Sequence, residues 1–250
     1  MNDAPNGNGQ QIIDSTYAFY MEDMRAFHER FSLLPEPDTY LDHHAVFRQN
    51  FLLEELNELS TAFAKGDLVS YLDALVDLDY VTLGTAFLMG HYSLFVNNDS
   101  TQVYINHLQK DRFKGHSLAA PQPPIASQYV FFLGGIYTQL GSAFHSMMMA
   151  RRGGNRTEHF TKTCLSLRDM HRNIVDHSFL CGLDFVEAWD RVHRANMSKV
   201  RAEKAGDSKR GSKFDVVKPS GWTAPDLTDL VGDPAHDLPP FLLERQASST

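Results

Sequence analysis

Glu54, Glu55 and Glu58 stand close together in the chain, and Asp73 and Asp77 follow after a break at Lys65-Gly66-Asp67. On a helix, carboxylates at three- and four-residue steps project from neighbouring positions on one side. Asp73 and Asp77 are also four apart, inside a run that is otherwise mostly Leu, Val and Tyr. Half-buried carboxylates persist when they are paired or hold a cation, and Lys65 is the only Lys or Arg from Phe51 to His91. Hard divalent cations take oxygen ligands, and Mg²⁺ is typically held by a few carboxylates together with water and substrate phosphates. The acids therefore point to a carboxylate-held metal. A solvated Glu face followed by ordinary capping acids is the bland alternative, and Asp73 and Asp77 inside an apolar run weigh against it.

Two helices must position these acids. Leu52, Leu53, Leu56, Leu59 and Phe63 recur at helical steps with no Pro or Gly between them, which predicts a helix with one apolar stripe beside the acids. Gly66 suits the left-handed conformation that ends a helix, and Asp67 or Ser70 can cap the next. Leu72, Leu75, Val76, Leu78, Tyr80, Val81 and Leu83 then form a second arm that is apolar nearly all round. The expected unit is an antiparallel pair facing itself with acids.

The sequence LLEELNEL, then GD, then LDALVDLDYVTLGTAFLMG, resembles the two central helices of the all-α NTP pyrophosphohydrolases, the MazG-like and phosphoribosyl-ATP pyrophosphohydrolase-like group. His193-Arg194-Ala195-Asn196-Met197-Ser198-Lys199, then Lys218-Pro219, Gly221-Trp222 and Pro225-Asp226-Leu227, resemble the C-terminal signature of the phosphoribosyl-ATP pyrophosphohydrolase-like subgroup, common in phage-encoded members. The resemblance implies an all-α bundle that uses Mg²⁺, with Mn²⁺ able to substitute, to cleave a (deoxy)nucleoside triphosphate between its α and β phosphates. It implies Glu55, Glu58, Asp73 and Asp77 as metal ligands and Glu54 as ligand or general base. It further implies Asn196, Lys199 and Lys218 at the phosphates, and Phe27 and His28 as the aromatic-His pair beside the nucleotide. Arg48, ahead of the acids, is placed to reach a phosphate or to pair with a Glu. One departure stands out: the MazG-type Glu three before the second-helix Asp is here Ala74, and Asp73 is expected to substitute.

With 250 residues and 42% hydrophobic content the chain can bury a core. A net charge of −8 argues against a duplex nucleic acid partner. Cys164 and Cys181 show no zinc-type spacing, which predicts reduced thiols and a cytoplasmic setting, that of the host if phage-encoded. No signal peptide or membrane span is expected.

In chain order, the expected organisation is a loose tail over 1–11 and one helical catalytic domain over 12–200, followed by an extended segment over 201–250. Ile13 to Leu33 reads as a helix capped by Asp14 or Ser15 and ended by Pro35 and Pro37. His43 and His44 precede Arg48. An insertion of about 92–180 separates the acids from the Asn196 motif, with a helix near Gln102 to Asp111, a Pro-rich link at Pro121 to Pro124, and long helices over Ile125–Arg151 and Thr157–Leu180 joined at Gly153-Gly154. Phe185 to Lys199 is a further amphipathic helix, and the charge run Lys204 to Lys213 belongs to the irregular tail. Phe131, Phe132, Met147, Met148 and Met149 are more apolar positions than one helix face buries, which predicts a homo-oligomer.

Two other functions fit parts of the chain. His145, His159, His171 and His177 with Asp169 and Asp176 are the residue types of an HD-type metal phosphohydrolase, although no His-Asp dipeptide occurs. Ala74 and the insertion fit an inactive nucleotide-binding module or scaffold.

Overall fold

The computed structural model describes residues 20–33, 45–90 and 124–231. Readings that lie outside them are the N-terminal tail, the caps Asp14 and Ser15, Pro35 and Pro37, His43 and His44, the helix near Gln102 to Asp111, the Pro-rich link before Pro124, and everything after Val231.

The architecture is all-α. Helix α1 (20–30) buries Tyr20, Met21, Met24 and His28, one face at helical steps. Helices α2 (Ala45–Lys65) and α3 (Leu68–Leu88) form the expected antiparallel pair. The turn between them uses Gly66 at φ 67°, and the Asp67 side chain accepts from the Ser70 amide at 3.0 Å. Leu53, expected in the apolar stripe, is 44% exposed, because the true stripe runs through Leu52, Leu56, Leu59 and Ala62.

Helices α4 (Ala126–Arg151) and α5 (Arg156–Leu180) match the two long helices expected in the insertion. They form a hairpin, and α5 packs against α3 within the same chain. Two buried polar contacts fix that packing. His171 Nδ1 donates to Asp79, 2.7 and 2.9 Å from its two oxygens, and Tyr71 and His177 Nε2 lie 2.7 Å apart. Phe132 stacks on His177 and Met147 is buried, so two of the positions read as oligomer surface belong to the core. Phe131 is 86% exposed.

Helix α6 (Phe185–Met197) buries Phe185, Ala188, Trp189, Val192 and Asn196. Trp189 joins three helices: its ring meets Tyr20 of α1 and Tyr80 of α3, and its Nε1 donates to Asp23 at 2.8 Å. After α6 the described residues have little regular structure: β1 (Val200–Arg201) pairs antiparallel with β2 (Val216–Val217), with 3₁₀ turns at Ala205–Asp207 and Thr228–Leu230. It is nevertheless anchored. Arg201 donates to the carbonyls of Phe31 and Ser32 at the end of α1, covering acceptors that a helix C-terminus leaves open. Leu227 and Val231 enter the core, and Arg191 holds the Asp226 carbonyl and the Asp229 carboxylate. No helix of the described residues is long and apolar enough to cross a membrane.

Candidate active site

A cavity of about 370 Å³ opens between α1, α2, α3, the end of α6 and the 207–218 segment, within the range of small-ligand sites. Glu55, Glu58 and Asp77 line one part of it, Asn196, Lys199 and Lys218 another, and Phe27, His28 and Arg48 a third. Nine residues separated by up to 191 positions in the chain thus line one cavity. Glu54 and Asp73 are not among its lining residues.

Helix periodicity explains the acidic side. Glu55 falls within the buried stripe of α2, Glu54 is half-buried beside it and Glu58 is exposed, while Asp73 and Asp77 are half-buried on α3. Burial, with Asp77 and Glu58 close by, pushes Glu55 up to about 8. Asp73 is pushed up to about 7 by burial and by Asp77, against the pull of Lys218 and Lys199. Asp77 is also raised, chiefly by burial. Glu55 Oε2 is buried without a hydrogen-bond partner. Crowded carboxylates and an orphaned oxygen are what a cation site requires. As they stand, no three His, Cys, Asp or Glu side chains among the described residues are gathered to hold one ion. The donor chemistry fits a hard cation, and part of the cluster is met by a cation from the protein itself.

That cation is Arg210, within the charge run read as irregular tail. Its Nε lies 2.6 Å from Glu54, its Nη1 3.1 Å from Asp215 and its Nη2 3.5 Å from Glu55, and its guanidinium sits 3.6 Å over the Phe51 ring. Lys209 also pairs with Glu54. Burial raises Glu54, but Lys209 and Arg210 outweigh it and hold the carboxyl below its ordinary value. The reading of these acids as lacking cationic partners, drawn from the 51–91 stretch alone, is therefore corrected. Proximity in sequence missed partners more than 150 positions away; an Arg inside a segment leading to the Lys218-Trp222 motif was the available clue.

The basic side is organised by Trp222. Gly221, at φ 80°, makes the turn that presents the indole, and Trp222 Nε1 donates to the Ala195 carbonyl at 2.9 Å. Lys218 Nζ lies 4.3 Å and Lys199 Nζ 5.4 Å from the ring centre. Burial lowers the Lys199 pKa, against the pull of Asp77.

The third part is apolar and aromatic. Phe27 packs on Tyr80, and His28 stacks on Phe87. His28 is buried, not a surface histidine; burial holds its pKa down at about 3, so the ring is neutral and its Nδ1–H donates to the Met24 carbonyl at 2.7 Å. Arg48 lines the cavity and also ties two helices together. Its Nε donates to Thr85 Oγ1 at 2.9 Å and its Nη2 to the Val81 carbonyl at 2.6 Å, which pins α2 to α3. Gly84 leaves room for this: a Cβ there falls 3.1 Å from Arg48 Nη2 and 3.2 Å from His28 Cε1.

The histidines of the HD-type alternative do not converge. His145 is exposed, His171 faces Asp79, and His177 faces Tyr71 and Cys181.

Residues 24–91 match the family model for phosphoribosyl-ATP pyrophosphohydrolase, a member of the all-α NTP pyrophosphohydrolase superfamily. The matched segment holds Phe27, His28, Arg48 and all five acids; Asn196, Lys199, Arg210 and Lys218 lie beyond it. No curated protein and no solved structure matches the chain.

Proposed function

We propose that this chain, whose residues 24–91 match the phosphoribosyl-ATP pyrophosphohydrolase family model, is a hydrolase that cleaves a (deoxy)nucleoside triphosphate between its α and β phosphates in nucleotide pool control. The observation that carries the reading is the meeting, in one cavity, of Glu55, Glu58 and Asp77 with Asn196, Lys199 and Lys218. A triphosphate bound through metal needs both: oxygen donors for the ion and cations for the phosphate charge.

In this reading Glu55, Glu58 and Asp77, with Asp73 alongside, hold Mg²⁺ or Mn²⁺. The bound ion supplies charge withdrawal from the phosphates and acidifies a water. Lys199 and Lys218 hold the phosphate tail as point charges, steadied by the Trp222 ring. Asn196, buried on α6, supplies an amide to the same end of the cavity. Phe27 and the neutral His28 form the wall for the base. Arg48 supports that wall by tying α2 to α3. Glu54, held by Lys209 and Arg210, is a weak base while those pairs last, and its part in activating water depends on their release.

The test is pyrophosphate release from a panel of ribo- and deoxynucleoside triphosphates with Mg²⁺, Mn²⁺ or chelator. Metal-dependent pyrophosphate release supports the reading, and none from any nucleotide overturns it. The proposal extends to self-association through the exposed face of α4, where Val130, Phe131 and Tyr137 are all more than half exposed. Light scattering is expected to give a dimer or larger species that Phe131→Asp weakens.

A further inference from the structure

Arg210 reaches the carboxylate cluster from outside the family-matched segment, and its contacts are uneven. Its Nε bond to Glu54 is short and direct at 2.6 Å, whereas its reach to Glu55 Oε1 is 3.5 Å and leaves Glu55 Oε2 buried without a partner. A guanidinium neutralises this cluster only in part. What holds Arg210 is itself well built. Asp215 is buried, accepts from the Ser208 hydroxyl at 2.6 Å and from the Val216 amide at 2.9 Å, and pairs with Arg210 Nη1. The Phe51 ring supports the guanidinium from one face.

Resting on the function proposed above, we propose that Arg210 exchanges partners: it is the counter-ion of Glu54 and Glu55 before metal binds, and a divalent cation displaces it onto the phosphate tail of the substrate. A divalent ion on the unmet oxygen of Glu55 comes close to a guanidinium 3.5 Å from the other oxygen of that carboxylate, so the two cations repel, and the hard divalent ion competes better for the buried group. Repulsion from the ion then drives the guanidinium towards the anion entering the same cavity, which Arg210 already lines. Its planar fork suits phosphate oxygens. Asp215 and Phe51 keep the side chain leashed throughout, so only the guanidinium end has to move.

The exchange predicts effects of opposite sign in one variant. Calorimetric titration of the full-length protein with MnCl₂ alone is expected to show Arg210→Gln binding Mn²⁺ about tenfold more tightly than wild type. Titration with inorganic tripolyphosphate at saturating Mn²⁺ is expected to show about tenfold weaker binding. A purely structural strap moves both affinities down or neither, and either result overturns the exchange. Arg210→Lys keeps the charge without the fork and covers the case in which the Gln variant does not fold. It is expected to shift both affinities in the same directions by a few-fold, and unchanged values in a folded Lys variant overturn the exchange. If wild type binds Mn²⁺ and releases pyrophosphate while the variants shift neither affinity, the exchange alone fails. If wild type binds no Mn²⁺ and releases no pyrophosphate, the proposed function fails with it.

Discussion

Asp77 and Asp79 are two residues apart on α3 and face opposite fates. Asp79 points into the bundle, where both its oxygens meet His171 Nδ1. Asp77 borders the cavity, among Glu55, Glu58 and Asp73, with Lys199 and Lys218 supplying the opposing charge. Burial raises the pKa of both. The difference lies in how the charge is answered. A buried carboxylate answered by one partner fixes how two helices pack; crowded carboxylates with an oxygen left over are the kind of feature on which the proposed metal site rests.

The strongest way to break this comparison is to neutralise each side. Asp77→Asn or Glu58→Gln is expected to lower kcat by about a thousandfold or more, because a lost ligand removes transition-state stabilisation and not packing. Circular dichroism should show an unchanged helical fold. Full activity in either variant removes that residue from the site.

On the other side, His171→Ala leaves Asp79 buried without its main partner and is expected to cost about 3 to 5 kcal/mol in stability, read as a fall in the urea midpoint. Turnover per folded molecule should stay near wild type at low temperature. Lost turnover with intact stability would assign the Asp79–His171 pair to the site and erase the contrast.

The second contact between α3 and α5 sharpens the point through pH. His177 faces Tyr71 of α3, Cys181 after its own helix and the Phe132 ring of α4, with no carboxylate among these neighbours. Burial lowers its pKa from 6.5 to about 4. The unfolded chain therefore binds this proton first as pH falls. The contribution of His177 to stability is complete above pH 6.5 and is lost progressively between 6.5 and about 4. The loss is expected to be on the order of 3 kcal/mol. Urea midpoints measured across that window should fall in wild type and fall less in His177→Gln; parallel curves would rule the residue out.

The smallest effect concerns the basic side. Lys199→Ala is expected to raise KM for a triphosphate about tenfold, the scale of one charge-assisted contact, and to change monophosphate product binding far less. Equal losses for both ligands would make Lys199 a packing residue.

The α2/α3 hairpin was legible from local signals, because helical periodicity, the Gly66 turn and the Asp67 cap act over a few residues. The long helices α4 and α5 were legible for the same reason, their ends falling within a residue or so of the expected bounds. Residue type and spacing also marked the acids, and the paired motifs marked Asn196, Lys199 and Lys218. Three things depended on the tertiary structure. Arg48 spends two of its donors on α3, a choice settled by how α2 and α3 cross. The placement of α4 and α5 against α3 rests on Asp79, His171, Tyr71 and His177, none of which announces its partner in the sequence. Arg210 lies 156 residues from Glu54, in a segment with almost no periodicity to read. Local patterning determines elements because its interactions close within a helical turn. The balance of charge in a buried cluster is a sum over whatever the fold brings near, and that sum exists only once the chain is packed.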